Sequence, residues 1–273
     1  MQIISQRVLP DTGKIPTIPP PLKWAGGKRW LVPHLHAVWG KHQHRRLVEP
    51  FVGGMAVTLG LKPESALLND TNPHLINFYS WLKSGLVVTI EMENDQDQYY
   101  RHRERLNQLI REGEGDSQEA AALFYYLNRT GFNGLCRFNS RGEFNVPFGK
   151  YKTIAYTRDF TRYRPALAHW ELKVGDFSKL RVEPTDFLYV DPAYDVEFTT
   201  YSAGGFSWAD QVRLAHWLAQ LPNPIVASNQ ATPRILDLYD SLGFDISILD
   251  APRMISCTGD RTPAKEMLAT RGI

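Results

Sequence analysis

Apolar and polar positions along this chain repeat with two periods, and the switching between them predicts the architecture. Short runs rich in β-branched and aromatic residues read as buried strands: Arg46-Leu47-Val48-Glu49-Pro50, Ala66-Leu67-Leu68-Asn69-Asp70, Trp170 to Val174, and Asp186-Phe187-Leu188-Tyr189-Val190. Helical spacing separates them. Leu75, Ile76, Phe78, Tyr79 and Leu82 form a stripe that predicts a helix over 72–83. A heavily charged stretch over 95–111, with Tyr99, Leu106, Leu109 and Ile110 as its apolar positions, predicts a solvated helix, and 117–129 a better packed one. Beyond the fourth strand, Ser207 with Asp210 predicts a capping box opening a helix that runs to about Leu221. A strand over 225–229, a helix over 233–242, a strand over 245–249 and a last strand over 265–270 follow. Such alternation implies an α/β fold with a mostly parallel sheet.

At 273 residues, with 43% hydrophobic and 22% charged residues, the chain suffices for one large domain or for one domain carrying an insertion. A net charge of +2 says little about partners. Cys136 and Cys257 lie far apart and form no CxxC pair, which argues against a disulfide framework or a cysteine zinc site and for a reducing cytosol. No segment has the apolar length of a membrane span, and the N-terminus lacks a signal-type apolar region. Residues 1–21, ending in Ile15-Pro16-Thr17-Ile18-Pro19-Pro20-Pro21, predict an extended arm. His34, His36, His42 and His44 show an H-x-H repeat, but no carboxylate or cysteine pattern adjoins it, so no metal site is expected.

Candidate chemistry collects at the carboxyl ends of the strands, where open α/β sheets keep their ligands. Asp191-Pro192-Ala193-Tyr194 offers a carboxylate, a main-chain carbonyl and a ring, which suits a planar base carrying an amino group. Phe51-Val52-Gly53-Gly54 forms a glycine turn between strand and helix, and Asp70 closes the next strand at the spacing from which an acid reaches ribose hydroxyls. Asp176 beside Phe177 repeats the strand-end acid. Upstream, Lys23-Trp24-Ala25-Gly26-Gly27-Lys28 pairs an aromatic with glycines that let a ligand approach the backbone. Over 130–152 turn residues alternate with aromatics, and Ser140-Arg141-Gly142 reads as a hairpin bend. Arg129, Arg137, Arg141, Lys150, Lys152, Arg158, Arg162 and Arg164 crowd this region against Glu143 and Asp159. Basic side chains interleaved with Phe and Tyr suit phosphate contact and base stacking.

KWAGGK, FVGG, LLND, NRTGFNGLCRFNSRGEFNVPFGKY and DPAY, in this order, resemble the Dam-type DNA adenine-N6 methyltransferases, with the GATC-specific members most similar. The resemblance covers nearly the whole chain after the proline arm. It implies a Rossmann-like methyltransferase fold with an antiparallel last strand, divided into a catalytic domain over 22–85 and 165–273 and an inserted helical and hairpin DNA-recognition lobe over 86–164. It also implies S-adenosylmethionine as methyl donor, held by Trp24, Ala25, Gly26, Gly27, Lys28, Phe51, Gly53, Gly54, Asp70, Asp176 and Phe177. Asp191, Pro192 and Tyr194 would receive an adenine flipped out of double-stranded DNA. Lys23 and Arg137 would contact guanines, and Leu135 with Pro147 would pack on a thymine methyl, pairings that base-edge chemistry also favours. Phe132 would enter the opened duplex and Asn133 contact a phosphate, with Arg129, Asn139 and Tyr151 completing the DNA-facing set. A monomer in the cytoplasm, without an obligate protein partner, is expected.

Two positions depart from the family pattern. Ala193 stands where a second proline is usual, which loosens the turn but spares the carboxylate, the carbonyl and the ring. Met55 stands where many members have glycine, tolerable if its side chain enters the helix interface and damaging if it enters the cofactor pocket. Three other readings remain at this level: a DNA-binding protein that has lost methyl transfer, a cytosine-N4 methyltransferase using the same two acceptors, and a nicotinamide-dependent oxidoreductase, weakened by the absence of a full dinucleotide fingerprint.

Overall fold

The computed structural model describes residues 18–194, 206–252 and 264–273. In chain order, helix α1 (Val32–Trp39) leads into strand β1 (Leu47–Glu49), helix α2 (Ala56–Leu61), strand β2 (Ala66–Asp70) and helix α3 (Pro73–Ser84). Two longer helices, α4 (Gln96–Arg111) and α5 (Gln118–Thr130), and a hairpin come next, before the short α6 (Arg164–Leu167) and strand β3 (Trp170–Val174). Strand β4 (Phe187–Val190), helix α7 (Trp208–Gln220), strand β5 (Ile225–Gln230), helix α8 (Pro233–Ser241), strand β6 (Asp245–Ala251) and strand β7 (Ala264–Arg271) complete the described elements. Residues 1–17 of the expected arm and Cys257 lie outside the described residues.

The strands form one sheet in the order β3-β2-β1-β4-β5-β7-β6, and β7 alone runs against the others. Chain order reverses beside β1, because β2 and β3 lie on one side of it and β4 on the other. That switch point opens a crevice at the carboxyl ends of β1 and β4.

Strands buried on both faces explain why the sequence showed continuous apolar runs. Leu47, Leu68, Phe187 and Tyr189 join the core under α1, α2 and α3, whereas Val48, Leu67, Leu188 and Val190 join the core under α7 and α8. Capping fixes where the helices begin. Asn72, Asp95 and Ser117 each accept backbone N–H bonds at the starts of α3, α4 and α5, and Ser207 and Asp210 form the expected reciprocal box on α7. The stretch over 95–111 is less solvated than its charge predicted, since Tyr99, Leu106 and Leu109 are fully buried in the core it shares with α5. Helix α1 was not predicted at all. Its apolar positions Val32, Leu35 and Trp39 fall on one face behind Pro33, and the histidine repeat drew attention from that spacing. Among the described residues no helix is long and apolar enough to cross a membrane.

Met55 caps α2 in the left-handed region at φ 58°, yet its side chain is fully buried in the core and does not line the crevice. It therefore takes the tolerable orientation. Left-handed backbone costs a non-glycine residue about 1–2 kcal/mol, while deleting a buried methionine side chain costs about 2–5 kcal/mol. Burial wins. Met55→Gly should therefore lower stability, by roughly 1–3 kcal/mol in denaturant unfolding, although it relieves the backbone. A more stable variant would show that the strain outweighs the packing.

Candidate active site

A cavity of about 610 Å³ occupies the crevice beside the switch point. Trp24, Ala25, Gly26, Gly27, Lys28, Phe51, Gly53, Gly54, Asp70, Asp176 and Phe177 line it, and so do Asp191, Pro192 and Tyr194. The cofactor and target-base sets expected from the sequence thus share one space.

Backbone stitching holds its rim. Asn69, buried at the end of β2, donates to the carbonyls of Pro50 and Gly175 at 2.9 Å each, tying together the ends of β1 and β3. Asp70 accepts from the backbone N–H of Gly53 at 3.2 Å and of Asn72 at 3.0 Å, and Tyr79 donates to the Gly53 carbonyl at 2.6 Å. The glycine pair is a steric requirement. A Cβ at Gly53 would lie 2.7 Å from the Trp24 indole nitrogen, and one at Gly54 2.7 Å from the Trp24 Cβ. Only bare backbone lets Trp24 pack against the turn. Phe51 approaches Phe177 at 5.6 Å and Phe206 at 5.4 Å between ring centroids, giving an aromatic corner on the cavity wall.

At the end of β4, Asp191 accepts from Lys28 Nζ at 3.0 Å and from Ser228 Oγ at 2.9 Å, both through Oδ1. Its side chain keeps 20% of its surface, exposed to the cavity. Burial pushes its pKa up, and Lys28 and Ser228 pull it back down. Tyr194 donates its hydroxyl to Glu266, a carboxylate buried on β7, and burial beside Asp191 and Glu266 keeps that phenol neutral. The Ala193 carbonyl accepts from Gln211 on α7 at 2.8 Å, and Asn229 donates to Gln211 at 3.0 Å. This relay holds the turn where the second proline is missing. On the opposite wall, Arg213 grips both oxygens of Asp176 at 2.8 Å and lies 4.2 Å from the Phe177 ring centre, holding Asp176 well below the usual carboxylate range.

The lining is acidic. Asp70, Asp176, Asp191 and Asp210 face Lys28 and Arg213, a surplus of carboxylates that favours a cationic ligand. Glu49 lines the same wall but is held toward its neutral form. It is 2% exposed, accepts from Thr58, and burial pushes its pKa up to about 8.

The DNA-facing set lies apart from the cavity, joined to it through Lys23, the neighbour of Trp24. Lys23 Nζ donates to the Arg129 carbonyl at 2.9 Å and sits 3.7 Å from the Tyr151 ring centre, and burial beside Arg129 lowers its pKa to about 8. Its Cβ would meet one on Gly134 at 2.4 Å, so that glycine admits the lysine stem. In the hairpin, Phe138 bridges Phe144, and Arg137 donates to the Asn145 side-chain oxygen at 2.8 Å and to its carbonyl at 3.1 Å. Phe132 is 47% exposed on a tight turn and Pro147 is exposed nearby, its carbonyl accepting from the Phe132 N–H at 2.9 Å. Asn133 is exposed and takes a left-handed φ of 53°, and Leu135 is half-buried against the core. Besides Arg137, three members of the set are engaged within the lobe, Tyr151 by donating to the Gly131 carbonyl at 3.1 Å. Asn139 holds the hairpin turn through the N–H groups of Arg141 and Glu143, and Arg129 donates to the Ala155 carbonyl.

Sequence reasoning missed Glu266, Ser228, Gln211, Arg213 and Phe206. Glu266 carried a signal, an acid opening the apolar run Met267-Leu268-Ala269, but only the antiparallel pairing of β7 with β5 turns it toward Tyr194. His42, one of the four histidines, packs 5.2 Å from Phe187.

A Rossmann-like sheet with ligand-binding residues at its switch point defines a large class of group-transfer enzymes. Residues 24–255 match the family of D12 class N6 adenine-specific DNA methyltransferases, and the chain belongs to that family. It is 34% identical to a DNA adenine methylase of Haemophilus influenzae, over 93% of each chain. It is 35% identical to a type II methyltransferase of Lactococcus lactis subsp. cremoris, covering 85% of this chain and 87% of that one. A DNA N-6-adenine-methyltransferase of Escherichia phage P1 is also 35% identical over 87% of this chain, which spans 33% of the phage protein's length.

Glu49 yields a test on the ligand-free protein. Its folded pKa of about 8 lies above that of an unfolded carboxylate, so the folded state binds the extra proton and loses stability as pH rises through that range. In Glu49→Gln the melting temperature should fall less steeply between about pH 5 and pH 8 than in wild type. Equal slopes would show that Glu49 is ionised in the fold.

Proposed function

We propose that this chain transfers a methyl group from S-adenosylmethionine to the N6 of an adenine flipped out of double-stranded DNA, within GATC. The observation that carries the reading is the convergence of Asp191, Pro192 and Tyr194 with the glycine turn of β1 on one cavity. The cofactor fits the residues present. An aromatic corner suits its adenine, Asp70 stands where ribose hydroxyls would lie, and the excess of carboxylates suits a sulfonium and an ammonium group. When bound, S-adenosylmethionine supplies the electrophilic methyl.

The chain's own residues make the amino nitrogen reactive. Its lone pair is ordinarily delocalised into the ring. Accepting its two N–H bonds at Asp191 and at the Pro192 carbonyl favours a pyramidal nitrogen and turns the lone pair outward. Tyr194 supplies a stacking face, and the cavity holds both reactants close and aligned. Flipping costs a few kcal/mol, which stacking on Tyr194 and insertion of the exposed Phe132 offset.

In this reading residues 22–85 and 165–273 form the catalytic domain, 86–164 the recognition lobe, and 1–21 an arm whose end is tied down where Tyr163 donates to the Pro19 carbonyl. Lys23 and Arg137 read guanines, Leu135 and Pro147 a thymine methyl, and Asn133 a phosphate, with the protein acting as a monomer in the cytoplasm. Arg137 is the best supported reader, because Asn145 accepts from its Nε and Nη2 along one edge and so orients the guanidinium plane.

Asp191→Ala should lower the rate of methyl transfer by at least about a hundredfold while duplex binding stays within a few fold. Retained activity would remove the proposed chemistry. Arg137→Ala should cost about 1–3 kcal/mol of discrimination between GATC and duplexes altered at its guanine, read as a ratio of kcat/KM values. An unchanged ratio would assign the guanine to another residue.

A further inference from the structure

Lys28 occupies the place that the proposed function assigns to the substrate. Its Nζ donates to Asp191 Oδ1 at 3.0 Å and lies 4.5 Å from the centre of the Tyr194 ring, where an adenine amino group and its ring would stand. A base stacked on that face of the ring with its amino group at Oδ1 would have to displace the ammonium. Lys28 is 5% exposed, so it cannot be released into water without rearranging the wall of the cavity. A displaced cation needs another buried acceptor, because an unpaired charge inside the protein is strongly disfavoured.

Glu266 is that acceptor. Its Oε1 stands 3.6 Å from Lys28 Nζ, outside a hydrogen bond but one small side-chain rotation from forming one. It is 3% exposed, and its second contact is the Tyr194 hydroxyl, so it touches both the residue that must move and the ring that must stay. The antiparallel β7 delivers it there. Pairing Glu266 with Gln230 of β5 sets the carboxylate beside the end of β4, two strands away in the order β4-β5-β7.

We propose that Glu266 is a positioning residue that receives Lys28 from Asp191 when the target base enters, freeing the Asp191 carboxylate for the adenine amino group while keeping the Tyr194 ring in place. This rests on the assignment of Asp191 as the amino-group acceptor. No bond is made or broken in the exchange beyond hydrogen bonds, and the charge of the cluster is unchanged by it. Lys28 thereby acts as an internal stand-in for the substrate, keeping the empty site paired.

Substitutions at Glu266 separate its two contacts. Glu266→Gln keeps an oxygen for the Tyr194 hydroxyl but removes the charge that attracts Lys28, whereas Glu266→Ala removes both. Single-turnover methylation of a GATC duplex at saturating S-adenosylmethionine should slow by at least about tenfold in Glu266→Gln, with the cofactor KM within about twofold of wild type. Glu266→Ala should be within about threefold of Glu266→Gln. Wild-type rates in Glu266→Gln, with only Glu266→Ala slow, would reduce Glu266 to a support for Tyr194 and overturn the exchange. Activity retained in Asp191→Ala would instead remove the chemistry on which the exchange rests, so the two failures are distinguishable.

Discussion

The Asp191 carboxylate has to remain an available acceptor while largely buried at the wall of the cavity, and much of the architecture follows from that requirement. Burial raises its pKa and would tend to protonate it, and a protonated acid could not accept an amino N–H. Lys28 and Ser228 oppose that tendency through Oδ1. Each arrives from a different part of the chain: the glycine-rich segment after Trp24, and the carboxyl half of β5. The sheet order makes this possible, because β4 lies between β1 and β5 at the switch point. Lys28 in turn approaches Glu266 at 3.6 Å, on the one strand that runs backwards among the described strands. An antiparallel strand is thus part of how the acceptor is maintained.

A second consequence is the separation of labour around the cavity. One wall is carbon, built by Trp24 on the two glycines of the β1 turn and by Phe51, Phe177 and Phe206. The floor is carboxylate, with burial pushing the Glu49 pKa up to about 8. Arg213 pins Asp176 by two parallel hydrogen bonds, so an acid at the rim of the aromatic corner has one orientation rather than several. Lys23, the neighbour of the cavity-lining Trp24, reaches across to the segment that carries the hairpin, and its depressed pKa comes from the same burial that places it between Arg129 and Tyr151.

Most of this was legible in the sequence wherever a function resides in a short contiguous pattern. Strands β1 to β4 were legible as short runs closed or followed by acids, Glu49, Asp70, Asp176 and Asp191, and those acids and the turns beside them line the cavity. The capping box at Ser207 was legible because its partners are three residues apart. What stayed hidden depends on register between distant strands. Glu266, Ser228 and Gln211 are polar residues within or beside apolar runs, and nothing local says that they meet Asp191, Tyr194 and Ala193. Asn139 shows the reverse, since its similarity to a DNA-contacting position says nothing of the turn it caps. Met55 was left open between core and pocket, and its burial beneath α2 placed it in the core.

Incubation of the purified protein with methyl-labelled S-adenosylmethionine and two duplexes that differ by a single GATC site, followed by nucleoside analysis, tests the central claim most directly. The account predicts label in N6-methyladenine, confined to the duplex that contains the site. Label in N4-methylcytosine, or no label on either duplex while both are bound, would contradict it.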